Sequence, residues 1–137
     1  MPRIRRVLET ILYCDDLDRG ARFYEALLGC APMLRTPRVV GFDSGEGTVL
    51  LLFDRRAAEP PQPSSGGLIP GHTGSGPAHI AFAIDRSAVT AWQERLAELG
   101  IGIESRVQWE RGGESLYFRD PEGHSVELAT PGTWPCY

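Results

Sequence analysis

Two stretches of this chain, one in each half, run through the same order of elements. An internal duplication narrows the fold more than any composition can. Residues 7–14, VLETILYC, alternate like a strand. DDLDRGARFYEALLG follows, with Asp15, Asp16 and Asp18 as N-cap candidates, apolar residues at helical spacing (Leu17, Ala21, Tyr24, Leu27, Leu28) and Gly29 as the stop. Strands are expected over 31–36, 38–43 and 48–53, the last two joined by the turn DSGEG. Residues 57–77, dense in Pro, Gly and Ser, read as a linker or a lid. Then the order returns: strand AHIAFAID, helix RSAVTAWQERLAELG with Val89, Trp92, Leu96 and Leu99 on one face, and strands over 101–109, 114–119 and 124–129. The sequence therefore predicts an α+β protein of two βαβββ modules, 1–56 and 78–137, in a single domain of 137 residues.

The repeat changes how His79 is read. Alone in GPAHIAFAID, a histidine among alanines is most simply a core residue bonded to a backbone carbonyl. Glu9 lies 20 residues before the helix-ending Gly29, and His79 lies 21 before the helix-ending Gly100. The two side chains thus hold equivalent places in the two first strands. EGTVLL (46–51) lies over EGHSVEL (122–128) with one residue's difference, which sets Leu50 opposite Glu127. Glu9 and Glu127 interrupt strands whose other face is apolar, and a carboxylate facing a sheet interior is costly unless a cation or donor compensates it. Two carboxylates and an imidazole form a ligand set for a divalent metal that leaves positions for water and substrate. The plain alternative is a pair of edge-strand glutamates in solvent and one buried histidine.

Composition excludes more than it selects. A net charge of −4 with no basic stripe beyond RIRR at residues 3–6 argues against nucleic acid and anionic membranes as partners. No apolar run approaches the roughly 20 residues that span a bilayer. With no apolar leader at the N-terminus, the expected location is the cytoplasm. Cys14, Cys30 and Cys136 are an odd number with no CxxC spacing, which suits a reducing compartment.

ETILYCDDLDRGARFYEALLG, GPAHIAFAID and YFRDPEGHSVELATPG together resemble the vicinal oxygen chelate superfamily. That group includes glyoxalase I, fosfomycin- and bleomycin-resistance proteins, methylmalonyl-CoA epimerase and extradiol dioxygenases. The resemblance covers nearly the whole chain and implies modules pairing into a curved, partly open sheet around a metal cavity, within one chain or across a swapped homodimer. It also implies that Glu9, His79 and Glu127 stand at the metal-ligand positions. The metal would be Mn, Fe, Ni or Zn, and Glu9 or Glu127 would move a proton if released from it. Glyoxalase I has a fourth ligand where Leu50 stands, so this chain looks closer to members with three.

The resemblance implies a small-molecule substrate and a lyase or isomerase of glyoxalase type. A binding protein that holds a drug or metabolite without turnover is the alternative. An iron(II) dioxygenase ranks lower, because its usual triad has two histidines and one carboxylate. Candidate substrate-lining residues are Tyr13, Leu50, His72, Trp109 and Tyr117. Each has an ordinary reading beside it: a solvated loop position for His72, sheet packing for the aromatics. His124 is read as part of the DPEG turn, and Arg119 as an ion-pair partner stabilising it.

Overall fold

Alternating apolar residues do build the strands, and the duplicated order is the duplicated topology. In the computed structural model, which describes residues 1–137, the elements begin with β1 (Glu9–Cys14), α1 (Leu17–Leu28), β2 (Leu34–Arg35), β3 (Val39–Gly45) and β4 (Thr48–Asp54). They continue with α2 (Arg55–Ala58), β5 (Gln62–Ser64) and β6 (Gly67–Ile69). The second series is β7 (His79–Ala83), a 3-10 turn (Arg86–Ala88), α3 (Val89–Glu98), β8 (Ser105–Gln108), β9 (Glu114–Arg119) and β10 (Ser125–Ala129). The chain divides into two units, Met1–Gly76 and Pro77–Tyr137. No helix is long and apolar enough to cross a membrane.

The first unit carries an open four-stranded sheet in the order β1-β4-β3-β2, with β1 and β4 parallel and the other neighbours antiparallel. Helix α1 covers one face. Asp16 caps it by accepting from the Arg19 amide at 3.0 Å, and the helix ends at Gly29 as the sequence predicts. Leu17, Ala21, Tyr24 and Leu27 are buried with Leu12, Cys14, Val40, Phe42, Leu50 and Leu52. The strand alternation places Glu9, Ile11, Tyr13 and their register partners Val49, Leu51 and Phe53 on the opposite face.

The second unit repeats the arrangement in the order β7-β10-β9-β8, again with the first and last strands parallel. Ile80, Val126, Leu128, Leu116 and Phe118 are buried together with Val89 and Leu96 of α3. His79, Ala81 and Ala83 alternate onto the other face, beside Ser125, Glu127 and Ala129.

Two expectations change. Residues 57–76 are not a bare connection. They belong to the first unit, and hold the second half of α2, the β5–β6 hairpin and a return strap. Prolines and glycines cluster there because a hairpin and its sharp entries need them, which composition alone does not separate from an unstructured linker. Leu50, expected to line the substrate cavity opposite Glu127, is fully buried among the α1-facing residues and pairs with Thr10. In β10, Glu127 pairs with Ala81, two residues beyond His79. The matching residue of β4 pairs with Ile11, two beyond Glu9, and is Leu51. A register slip of one residue exchanges the two faces of a strand, and the sequence overlay carried that one-residue error.

Candidate metal-binding site

The second unit assembles a polar cluster from three strands. Parallel pairing sets Ser125 beside His79 and Glu127 beside Ala81, while antiparallel pairing sets Glu127 beside Tyr117. His79 and Glu127 therefore share a face one pleat apart. The His79 Nε2 atom lies 3.1 Å from Glu127 Oε2, and His79 Nδ1 lies 3.0 Å from the Ser125 carbonyl oxygen. A carbonyl only accepts, so Nδ1 is the protonated nitrogen. In the neutral ring Nε2 then presents a lone pair to a carboxylate oxygen. Two acceptors facing each other at 3.1 Å need a proton or a cation between them.

Glu127 is buried, unusual for a carboxylate, while the His79 side chain is 52% exposed. Ser115, fully buried, donates to Glu127 Oε1 at 2.5 Å and accepts from the Trp109 indole N–H at 2.8 Å. The Tyr117 ring stacks near His79 with centroids 6.2 Å apart. Burial above all, and then hydrogen bonding and charge from Glu127, push the Tyr117 phenol above its ordinary pKa of 10.0.

The donor set fits a divalent cation. Ligand distances of about 2.0–2.2 Å place neighbouring N and O ligands about 2.8–3.5 Å apart, from the octahedral to the tetrahedral edge. The observed 3.1 Å falls within that span without any side-chain movement. Donation of the remote ring N–H to a backbone carbonyl is also the usual support of a metal-bound histidine. Glu9, the third candidate, lies in the first unit with an exposed carboxylate. Within the single chain no group of three or more His, Cys, Asp or Glu side chains gathers to hold a metal.

The other residues singled out from the sequence separate by unit. Tyr13 shares the Glu9 face and its hydroxyl lies 2.7 Å from His72 Nδ1. The His72 ring also meets Phe53 edge-on with centroids 4.6 Å apart, and its backbone N–H donates to the Ala58 carbonyl. The solvated-loop reading of His72 is therefore wrong. The strap that carries it packs so closely that a Cβ at Gly71 would lie 2.0 Å from the Glu59 oxygen just after α2, and one at Gly74 would lie 2.8 Å from the Tyr13 ring in the sheet. Arg55 secures the same strap, donating to the Gly74 carbonyl and to Asp15. Trp109 and Tyr117 both border Glu127, directly or through Ser115. Arg119 pairs with Glu104 at 2.7 Å, the turn-side ion pair expected of it.

Sequence reasoning missed Ser115 and understated His124. Ser115 stands two residues before Tyr117 and so on its face, a period-two signal that was available in ESLYF. His124 is 1% exposed, and its Nδ1 accepts from the Ala78 amide at 2.8 Å. A histidine after DPEG gives no hint of that contact, which spans 46 residues of chain.

Fold, register and polar cluster describe a duplicated βαβββ protein with a metal-competent imidazole–carboxylate pair. The chain belongs to the Glyoxalase/Bleomycin resistance protein/Dioxygenase superfamily, whose sequence model matches residues 4–128. The metallothiol transferase FosB of Shouchella clausii (strain KSM-K16) is 32% identical over 123 residues, covering 85% of this chain and 73% of that protein. The glutathione transferase FosA of Serratia marcescens is 30% identical over 118 residues, covering 85% and 74%. Among solved structures, lactoylglutathione lyase from Agrobacterium tumefaciens matches with a TM-score of 0.87 and 34% identity, over 98% of this chain and 99% of that one. The resemblance to vicinal oxygen chelate proteins and the α+β architecture of two βαβββ modules both stand.

Proposed function

We propose that the protein is a divalent-metal-dependent enzyme that holds two neighbouring oxygens of a small metabolite at a site built on His79 and Glu127, with Glu9 as the third ligand. The observation that carries this reading is the His79–Glu127 geometry, with Nε2 and Oε2 at 3.1 Å and the remote ring N–H on the Ser125 carbonyl. Glu9 opens β1 as His79 opens β7, and it is supplied to the pair either by the same chain or by a second copy in a homodimer. When bound, a divalent cation such as Mn, Fe, Ni or Zn supplies Lewis-acid stabilisation of negative charge developing on substrate oxygen.

The chain's own residues divide the remaining work. Glu127 has one oxygen already engaged by Ser115 and is the fixed ligand. Glu9 is exposed and free to swing, which suits it to move a proton at a substrate carbon. Ala81 and Ala83, exposed beside the pair, leave space for a small ligand. Relatives named for glutathione or another thiol, two of them transferases and one a lyase, point to a substrate that is joined to a thiol.

The test combines metal analysis with turnover. Protein loaded separately with each of the four metals is assayed on the hemithioacetal of methylglyoxal and glutathione, and on fosfomycin with a thiol. Metal-dependent turnover of either, abolished in Glu127→Gln, supports the reading. Stoichiometric ligand binding without turnover under all four metals would favour the sequestering alternative.

A further inference from the structure

The two oxygens of Glu127 sit in different surroundings. Oε1 points into the second unit, where it receives the Ser115 hydroxyl at 2.5 Å. The direction of this contact is settled by its neighbour. An indole N–H can only donate, so at 2.8 Å Trp109 Nε1–H gives its proton to Ser115 Oγ, and the serine's own proton is turned toward the carboxylate. Ser115 is fully buried. Oε2 faces His79 Nε2, and the Tyr117 phenol also hydrogen-bonds to the carboxylate.

We infer that Trp109 and Ser115 are positioning residues that hold Glu127 to ligation through Oε2 alone. This inference rests on the metal reading above and adds to it the denticity of the carboxylate and the residues that impose it. A carboxylate that swung to bind through both oxygens would give up the Ser115 bond in a buried setting, where an abandoned hydroxyl is costly. Ligation through one oxygen keeps an additional coordination position open, and a substrate presenting two adjacent oxygens needs two such positions. The Trp109 ring thereby acts on the site through its N–H, a role different from the substrate lining expected of it. Trp109 is 38% exposed, and its indole N–H is joined to Glu127 through a single serine.

The test uses the full chain with manganese(II) or zinc(II) chloride alone as the probe. Affinity is measured by calorimetry for wild type, Ser115→Ala, Trp109→Phe and Leu128→Val. Loss of a group supporting a metal ligand typically lowers affinity about 10–100-fold. Ser115→Ala is expected in that range. Trp109→Phe keeps the ring and loses the N–H, and is expected to show a smaller loss. Leu128→Val loosens the same strand from its other face and is expected to bind like wild type.

A second readout needs no metal. The Trp109 indole N–H resonance, followed by ¹⁵N NMR, is protected from exchange in wild type and loses that protection in Ser115→Ala. Wild-type affinity in Ser115→Ala, or an equal loss in Leu128→Val, overturns the inference. If wild type binds neither metal, the metal reading itself falls and the positioning role falls with it. A protected Trp109 signal in that case would show the relay to be intact, so the two failures are distinguishable.

Discussion

Replacing His124 tests how the polar cluster is held from outside. His124 is buried, and its Nδ1 takes the amide proton of Ala78, the residue before His79. Its own amide donates to Asp120 Oδ1 at 2.9 Å, so the tight turn after β9 is tied directly to the start of β7. In His124→Ala the Ala78 N–H loses its acceptor in a partly buried setting, which costs about 1–3 kcal/mol. Truncating the ring leaves a void worth about 2 kcal/mol, at the low end of large-to-small substitutions. The expected loss is about 3–5 kcal/mol, a large share of the roughly 5–15 kcal/mol that holds a domain together. An asparagine carries a carbonyl oxygen near the place of Nδ1, and His124→Asn should recover about 1–2 kcal/mol of this. Urea unfolding at neutral pH gives the stabilities, and hydrogen exchange at the Ala78 amide reports the bond itself. If asparagine proves no better than alanine, and Ala78 exchanges equally fast in both, the imidazole only fills space and the argument fails.

Gly74→Ala should push the strap off the Tyr13 ring, because the new Cβ would stand 2.8 Å from it. Limited trypsin digestion after Arg55 and Arg56 should then quicken several-fold, and unchanged cleavage would mean that the strap does not depend on this approach. Glu127→Gln keeps the shape of the side chain and removes the charge. Bound divalent metal should fall below stoichiometry on elemental analysis, and full retention would count against the site. Hydrogen bonding from Arg119, ahead of its charge, lowers the Glu104 carboxyl below 4.5. A carboxylate depressed in the folded state stabilises above its unfolded pKa, and that contribution is lost as pH falls through the folded value. Glu104→Gln should therefore flatten the acid limb of the stability curve slightly, since the pair is exposed and screened. An unchanged acid limb would show the pair to be energetically silent. Solvent deuterium should enter the carbon of a turned-over α-hydroxycarbonyl in wild type and not in Glu9→Gln. Equal incorporation in both would remove Glu9 as the proton carrier.

Local pattern made the modules legible. Period-two alternation in VLETILYC and AHIAFAID, the aspartates before α1 and the Gly29 stop are short-range signals; the strands form within those stretches as Glu9–Cys14 and His79–Ala83, and Asp16 of the three candidates is the cap. The same alternation set Glu9, His79 and Glu127 on faces away from their helices, because side-chain direction along a strand depends only on parity. Register between strands is another matter. It is decided by which apolar side chains pack together over long chain separations, and so Leu51 rather than Leu50 takes the place matching Glu127.

The relay from Trp109 through Ser115, the His124 strut and the His72–Tyr13 contact join residues 6, 46 and 59 positions apart or more. Parity sets Ser115 on the Tyr117 face but names none of these partners, since a hydrogen bond asks only that donor and acceptor meet once the backbone is folded. Patterning along the chain thus determined the elements, their duplication and the faces that carry polar residues. Tertiary packing alone decided which polar groups touch, because contact depends on register and loop path rather than on the order of residues.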